Sequence, residues 1–495
     1  MKKNCAQFAA LAISVGTALP VLAEDISDQE RAGGSSAEAI QLADNSSHTA
    51  STTASAAGPA KTVDKSIPLG PLKLSLGGFF EFTGLYRQRN QTSDLATNLA
   101  GIPFPFQDNY NINEFRQTER DSRFIALIQG ADGDTKLDAY LETDFLSAGI
   151  SSNSGESNSY TPRVRQAFVT VARPGYSITA GQTWSLASLN TKGLQPRDIK
   201  IPPVSEGQYF AGFIWTRGPN LRFVVNPSKS VALGLALEAP QTLVRGTAPI
   251  GVVATNPGGV VLNPNANYST DVAPDVIAKV AFDPGFGHYE VYSLTRFFKD
   301  RVPTVPGGNS ALVDKKNRTT VGESIGFGLT LPIIPKVLEF NGNALIGHGN
   351  GRYGSAQLAD ATYDSNDGTL TPLFQRSFLT GLVWHTTPTV DLSFYYGQEK
   401  QDGAYSLIPE NNSRCEVPVS ALGTLPASAV CGGVASVTDI TGAAFWKFYH
   451  GSLGTMIAGT QVEYLTDKTY RALNGETAKT HGVVAFLTLR YFPFQ

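Results

Sequence analysis

Residues 71–89, PLKLSLGGFFEFTGLYRQR, read as two peptides interleaved at every second position. Leu72, Leu74, Leu76, Gly78, Phe80, Phe82, Gly84 and Tyr86 carry no charge, whereas Lys73, Ser75, Gly77, Phe79, Glu81, Thr83, Leu85 and Arg87 carry three. A period of two belongs to a β-strand whose faces meet unlike surroundings. The alternation returns in TKLDAYLETDF, VALGLALE, VLEFNGNALIG, VDLSFYYGQE and VVAFLTLRYF. In the first of these, Leu137, Ala139, Leu141, Thr143 and Phe145 oppose Lys136, Asp138, Tyr140, Glu142 and Asp144. Few folds accommodate so many two-faced strands in one chain.

A soluble sandwich also alternates, so the connections decide. GADGD, RPG, NPSKS, DPGFG, LPIIPK, HTTPT and GSLG read as tight turns, rich in Gly, Pro, Asn and Asp. Between them lie long irregular stretches near 90–113, 147–161, 185–206, 240–273, 300–321, 349–373, 401–441 and 467–480. Seven tight turns and eight long loops predict sixteen strands, and turns and loops that take turns predict a transmembrane barrel. Its apolar face then meets lipid, and its charged face meets water. A closed barrel pairs every backbone group at membrane depth. Sixteen strands make a cylinder too wide for side chains to fill, which predicts an aqueous channel. Tyr86, Phe145, Trp384, Trp446, Tyr491 and Phe494 fall near strand ends and suit interfacial girdles, with ordinary packing as the alternative.

Composition agrees. A chain of 495 residues would make two or three soluble domains, but 16% charged residues, 49 Gly and 10% aromatics suit one large all-β protein. A net charge of −3 and the lack of a Lys/Arg stripe give no reason to expect nucleic acid.

Lys2 and Lys3 precede the apolar run FAALAISVGTALPVLA, and Val21 and Ala23 supply a small-residue cleavage site. This predicts a signal peptide over 1–23 and an exported chain. Its removal leaves 37 basic against 42 acidic residues, a net charge of −5. Beyond it no stretch of about 18 uninterrupted apolar residues occurs, so any membrane span is β. Residues 24–66, dominated by Ser, Thr, Ala and Gly, read as a disordered periplasmic tail, and 67–495 as the barrel. Cys415 and Cys431 share one irregular stretch of an exported chain, which predicts a disulfide between them.

GGFFEFTGLYRQRNQTSDLATN, LETDFL, ESNSYTPRVRQAFV, AGQTWSL and the ending LRYFPFQ resemble Gram-negative trimeric porins, more specifically the DcaP-like group. The resemblance runs over 72–495. It implies a sixteen-stranded homotrimeric channel in the outer membrane, with a third loop, here 185–206, folded inward as a constriction. Two features depart from the group: the tail lacks the heptads of a coiled coil, and the chain ends Pro493-Phe494-Gln495 rather than on Phe. The partners implied are small hydrophilic solutes, outer-membrane lipid and lipopolysaccharide, and further copies of the chain; no cofactor is implied.

Strand parity turns Arg123 on strand two, Arg163 and Arg165 on strand four, and Arg222 on strand six into the lumen. Arg197 and Lys200 lie on the third loop. Together they read as a ladder that guides anions and carboxylates. Glu81, Asp138, Glu142 and Asp144 oppose it, either neutralising the ladder or creating a transverse field, and a merely solvated polar lumen is the bland alternative. A substrate-specific channel for sugars or peptides is the second function to weigh. A barrel enzyme or an adhesin is the third: His288, His385 and His450 fall at turns, His348 and His481 near loop ends, and neither GxSxG nor a metal-ligand spacing occurs.

Overall fold

The computed structural model describes residues 66–105, 107–147, 149, 155, 157–246, 248–257, 267–305, 314–364, 366–402, 433–470 and 477–494. The expected signal peptide, nearly all of the expected tail, and Cys415 with Cys431 lie outside the described residues.

Sixteen antiparallel strands close into a barrel. They are β1 (Leu72–Arg87), β2 (Arg123–Asp132), β3 (Thr135–Asp144), β4 (Arg163–Arg173), β5 (Tyr176–Trp184), β6 (Arg217–Ser228), β7 (Val231–Glu238) and β8 (Asp275–Phe282). The second half comprises β9 (His288–Pro303), β10 (Lys315–Ile334), β11 (Leu338–His348), β12 (Phe374–Thr387), β13 (Val390–Gln401), β14 (Val434–Gly451), β15 (Gly454–Thr469) and β16 (Lys479–Phe492). Each pairs with the next, and β1 closes the ring on β16 from Phe80 opposite Tyr491 to Arg87 opposite Val484. The loop end of β1 has a second partner, Glu114–Thr118, set off from β2 by a four-residue break at 119–122. Gly78 marks the tight spot beside that break. Its φ is +114°, and a Cβ there would sit 2.0 Å from the Arg123 carbonyl oxygen. Only glycine fits both conditions.

The barrel is inside-out relative to a soluble protein. On β1, Leu76, Phe80 and Phe82 are 46%, 50% and 45% exposed, while Glu81, Thr83, Leu85 and Arg87 are buried. On β8, Val280 and Phe282 point out and Ile277, Lys279 and Ala281 point in. An apolar outer belt over a polar inner face fits an apolar solvent around the barrel. Trp384 and Trp446 are exposed outward near the turn ends, as girdle residues would be.

Two loops are shorter than their sequence suggests. β9 and β10 run on to Pro303 and from Lys315, and β14 begins at Val434. Polar and β-branched residues such as Thr319 and Thr320 continue the ladder although their composition reads as loop. The third loop is longer than 185–206. It runs to 216 because Tyr209, Phe210, Phe213 and Trp215, apolar enough to read as strand, instead form the loop's own packing surface.

The lumen also departs from the expected wide waterway. Ile199, Ile201, Val204, Phe210 and Phe213 of the third loop pack on Phe79, Leu379, Val383, Tyr395, Phe445, Ile457 and Phe492 of the inner wall. Leu95, Leu99, Ile102 and Phe104 of the first loop (88–113) pack on Leu85, Val437, Leu465, Val484 and Phe486. Tyr363 and Leu370 of the sixth loop (349–373) join Phe298. Side chains alone cannot fill a sixteen-stranded barrel, but inward-folded loops can. Many inward charges therefore meet loops rather than bulk water.

Candidate constriction site

The β3–β4 ladder builds the densest charge cluster. Glu142 pairs with Gln166 and Thr143 with Val164, so the register slips by one residue and Arg165 is extra. Such a bulge re-aims side chains, and here both Arg165 and Gln166 are buried at the inner face. Arg165 donates from Nε to Glu142 at 2.5 Å and from Nη1 to Asp144 at 3.1 Å. Arg163 grips Asp144 through Nε at 2.9 Å and Nη2 at 2.6 Å, the forked geometry that suits guanidinium and carboxylate. Arg123 reaches Glu142 at 3.1 Å from β2. Gln166 and Tyr140 also donate to Glu142. Three guanidiniums against two carboxylates leave this cluster with a net charge of +1.

The other expected residues are placed apart from it. Arg222 is buried on β6, where its guanidinium donates to the Trp184 carbonyl at 2.5 Å and the Leu194 carbonyl at 3.5 Å, holding the third loop. Arg197 lies 3.9 Å from Asp138 with both side chains about one-third exposed. Lys200 pairs with Glu339. Glu81 receives Arg490 at 2.6 and 3.1 Å, and Arg490 also donates to the Ser205 carbonyl. The inner arginines thus divide into separate groups, each matched to acceptors, in place of one continuous ladder.

Several anchors escaped the sequence reading. Lys279 is fully buried and donates to the carbonyls of Leu186 at 3.0 Å and Ser188 at 2.7 Å and to Asn190 Oδ1 at 3.2 Å. It also pairs with Glu290 at 2.6 Å, and the Asn190 N–H donates to Glu290 at 3.0 Å. Arg296 ties Asp275 to Asp360 and to the carbonyls of Gly349 and Gln241. Glu399 accepts the N–H groups of Gly212 and Ala356 at 2.9 Å, joining the third and sixth loops. The readable signal was charge at two inward positions, Asp275 and Lys279, of the strand DVIAKVAF, whose other residues are apolar.

The third loop's return is locked from the acidic side. Gln461 accepts the N–H groups of Ser205 and Glu206 at 2.5 and 3.1 Å. Glu206 accepts the Thr97 N–H at 3.0 Å, while the Thr97 hydroxyl donates to Glu463 at 2.9 Å. Burial pushes the Glu206 carboxyl up to about 8, with Glu81 adding to the rise.

The barrel fold has a counterpart among solved structures. The crystal structure of the outer-membrane channel DcaP of Acinetobacter baumannii superposes with a TM-score of 0.58 at 15% identity, covering 85% of this chain and 97% of that one. The chain has the porin fold. An anion-selective porin from Comamonas acidovorans is also similar, with a TM-score of 0.45, 10% identity, and coverage of 85% and 99%. No family model matches the sequence, and no curated protein matches it. The porin fold thus appears here with a third loop anchored at both ends.

Proposed function

We propose that the protein is an outer-membrane porin, a non-catalytic channel for passive diffusion of small hydrophilic solutes that favours anions and carboxylates over cations. The observation that supports this reading most directly is an inside-out sixteen-stranded barrel whose third loop crosses the lumen beside a cluster of net charge +1. Charges in a narrow, partly desolvated passage act more strongly than in bulk water. In this reading the apolar belt sits in outer-membrane lipid and lipopolysaccharide after export and signal removal, and three chains assemble. Unboiled gels and native mass measurement are expected to give about three chains; a monomer in mild detergent would refute the assembly.

Reversal potentials across a KCl gradient test the selectivity. Anion preference is expected, weakening as the Debye length falls from about 10 Å at 0.1 M to about 3 Å at 1 M. Arg163→Ala with Arg165→Ala changes the cluster from +1 to −1 and is expected to move the reversal potential toward cations. Cation preference in the wild type overturns the reading. A channel specific for sugars or peptides is the second reading, favoured by the loop packing that narrows the lumen; solute block without ion selectivity would support it.

A further inference from the structure

We infer that the outer face of β12–β16 holds, at its loop end, a phosphate-bearing lipid of the surrounding membrane. The strand register sets Arg376 opposite Lys400, Lys400 opposite Ser436, Ser436 opposite Lys468, and Lys468 opposite Lys479. Neighbouring strands lie about 5 Å apart, so the five positions form one level row about 20 Å long. All four cations are exposed. They stand on the outward side, since the adjoining Gln375, Glu399, Asp467 and Thr480 are buried at the inner face.

Such a row is costly when nothing anionic covers it. Arg376 with Lys400, and Lys468 with Lys479, are like charges directly opposite across a ladder, a placement that destabilises a sheet. One carboxylate answers them: Asp402 accepts from Arg376 Nη2 at 3.0 and 3.1 Å. Lys400, Lys468 and Lys479 have no ion-pair partner among the described residues. Four cations against one carboxylate leave the row at +3. The outward loop-end positions of β3–β8 are Thr143, Val164, Gln182, Leu221, Leu237 and Val276, none of them charged. The charge thus belongs to one side of the barrel and not to the whole rim.

The surface below the row selects a lipid over a free anion. Phe378 follows Arg376 by two residues, and Tyr396 and Tyr464 precede Lys400 and Lys468 by four, so all three share the outward face. The rings of Phe378 and Tyr396 lie 5.8 Å apart, and those of Tyr464 and His481 6.0 Å. Ile440, Val462 and Leu487 continue this exposed apolar surface. Acyl chains fit against it while headgroup phosphates meet the ammoniums, the depth at which aromatic belts border the headgroups.

The inference rests on the outer-membrane part of the proposed function and not on conduction. Native mass measurement of the solubilised full-length protein, titrated with diphosphoryl lipid A in excess phosphatidylethanolamine, tests it. Retention of lipid A over phosphatidylethanolamine is expected, with a rise in the barrel's unfolding temperature. Lys468→Gln with Lys479→Gln is expected to lower that retention at least tenfold, each ammonium contributing about fivefold near an anionic surface. Without lipid the same variant should unfold at the higher temperature, because a like-charge pair is gone. Equal retention of both lipids by the wild type, or equal lipid A retention by the variant with its heat-modifiable gel mobility intact, overturns the site. Displacement of lipid A by inorganic phosphate alone overturns the lipid as occupant. A lack of single-channel conductance would sink the channel reading and leave this titration unaffected.

Discussion

Replacing Lys279 by Met is expected to free the descending limb of the third loop and raise single-channel conductance severalfold. The ammonium serves three loop acceptors and Glu290 at once, and its site is fully buried. Breaking a buried ion pair from one side costs about 3–5 kcal/mol, an upper bound here because Glu290 loses its ammonium partner but keeps His288 Nε2 and the Asn190 N–H. The barrel itself should survive, since its strand ladders are untouched and only the loop loses its tether. Protease sensitivity of the loop in the intact barrel should rise together with conductance. The double variant Lys279→Met with Glu290→Gln removes the carboxylate charge that lost its ammonium partner and should recover part of the loss. Unchanged conductance in the single variant would mean that apolar packing alone holds the loop.

The barrel was legible because its cause is local. A period of two in PLKLSLGGFFEFTG needs no knowledge of distant residues, and the turn chemistry of GADGD or GSLG is equally local. The interior was less legible because its partners are brought together by topology. Nothing near position 279 announces the carbonyls of 186 and 188, and parity alone put Arg222 in line with Arg163 although each is claimed by different acceptors. The bulge at Arg165 is a one-residue slip between strands, which alternation within β4 cannot reveal. The run from Tyr209 to Trp215 misleads for another reason: a loop that must pack inside a barrel needs the same apolar residues as a strand.

Conductance is also expected to rise with pH between about 5 and 8 and to level off above that, through Glu206. Its carboxyl is buried on the third loop, pushed up to about 8, and faces Glu463 and Glu81, with Arg87 partly opposing them. Thr97 of the first loop and Gln461 of β15 hold the same segment. The packed loop keeps the proton, whereas a released loop would lose it near the ordinary value of 4.5. The packed state therefore binds more protons across this window, and its stability falls as pH rises, by at most about 1.4 kcal/mol per pH unit. Below the lower value both states are protonated and the contribution is complete; above the upper value both are ionised and no further loss follows. Glu206→Gln mimics the protonated form, so it should hold the loop packed and flatten the pH profile at the low-conductance level. The measurement is single-channel conductance at constant salt from pH 4 to pH 9. A rise that persists unaltered in Glu206→Gln would move the titration to another group, and a fall with pH would reverse the sign on which the mechanism depends.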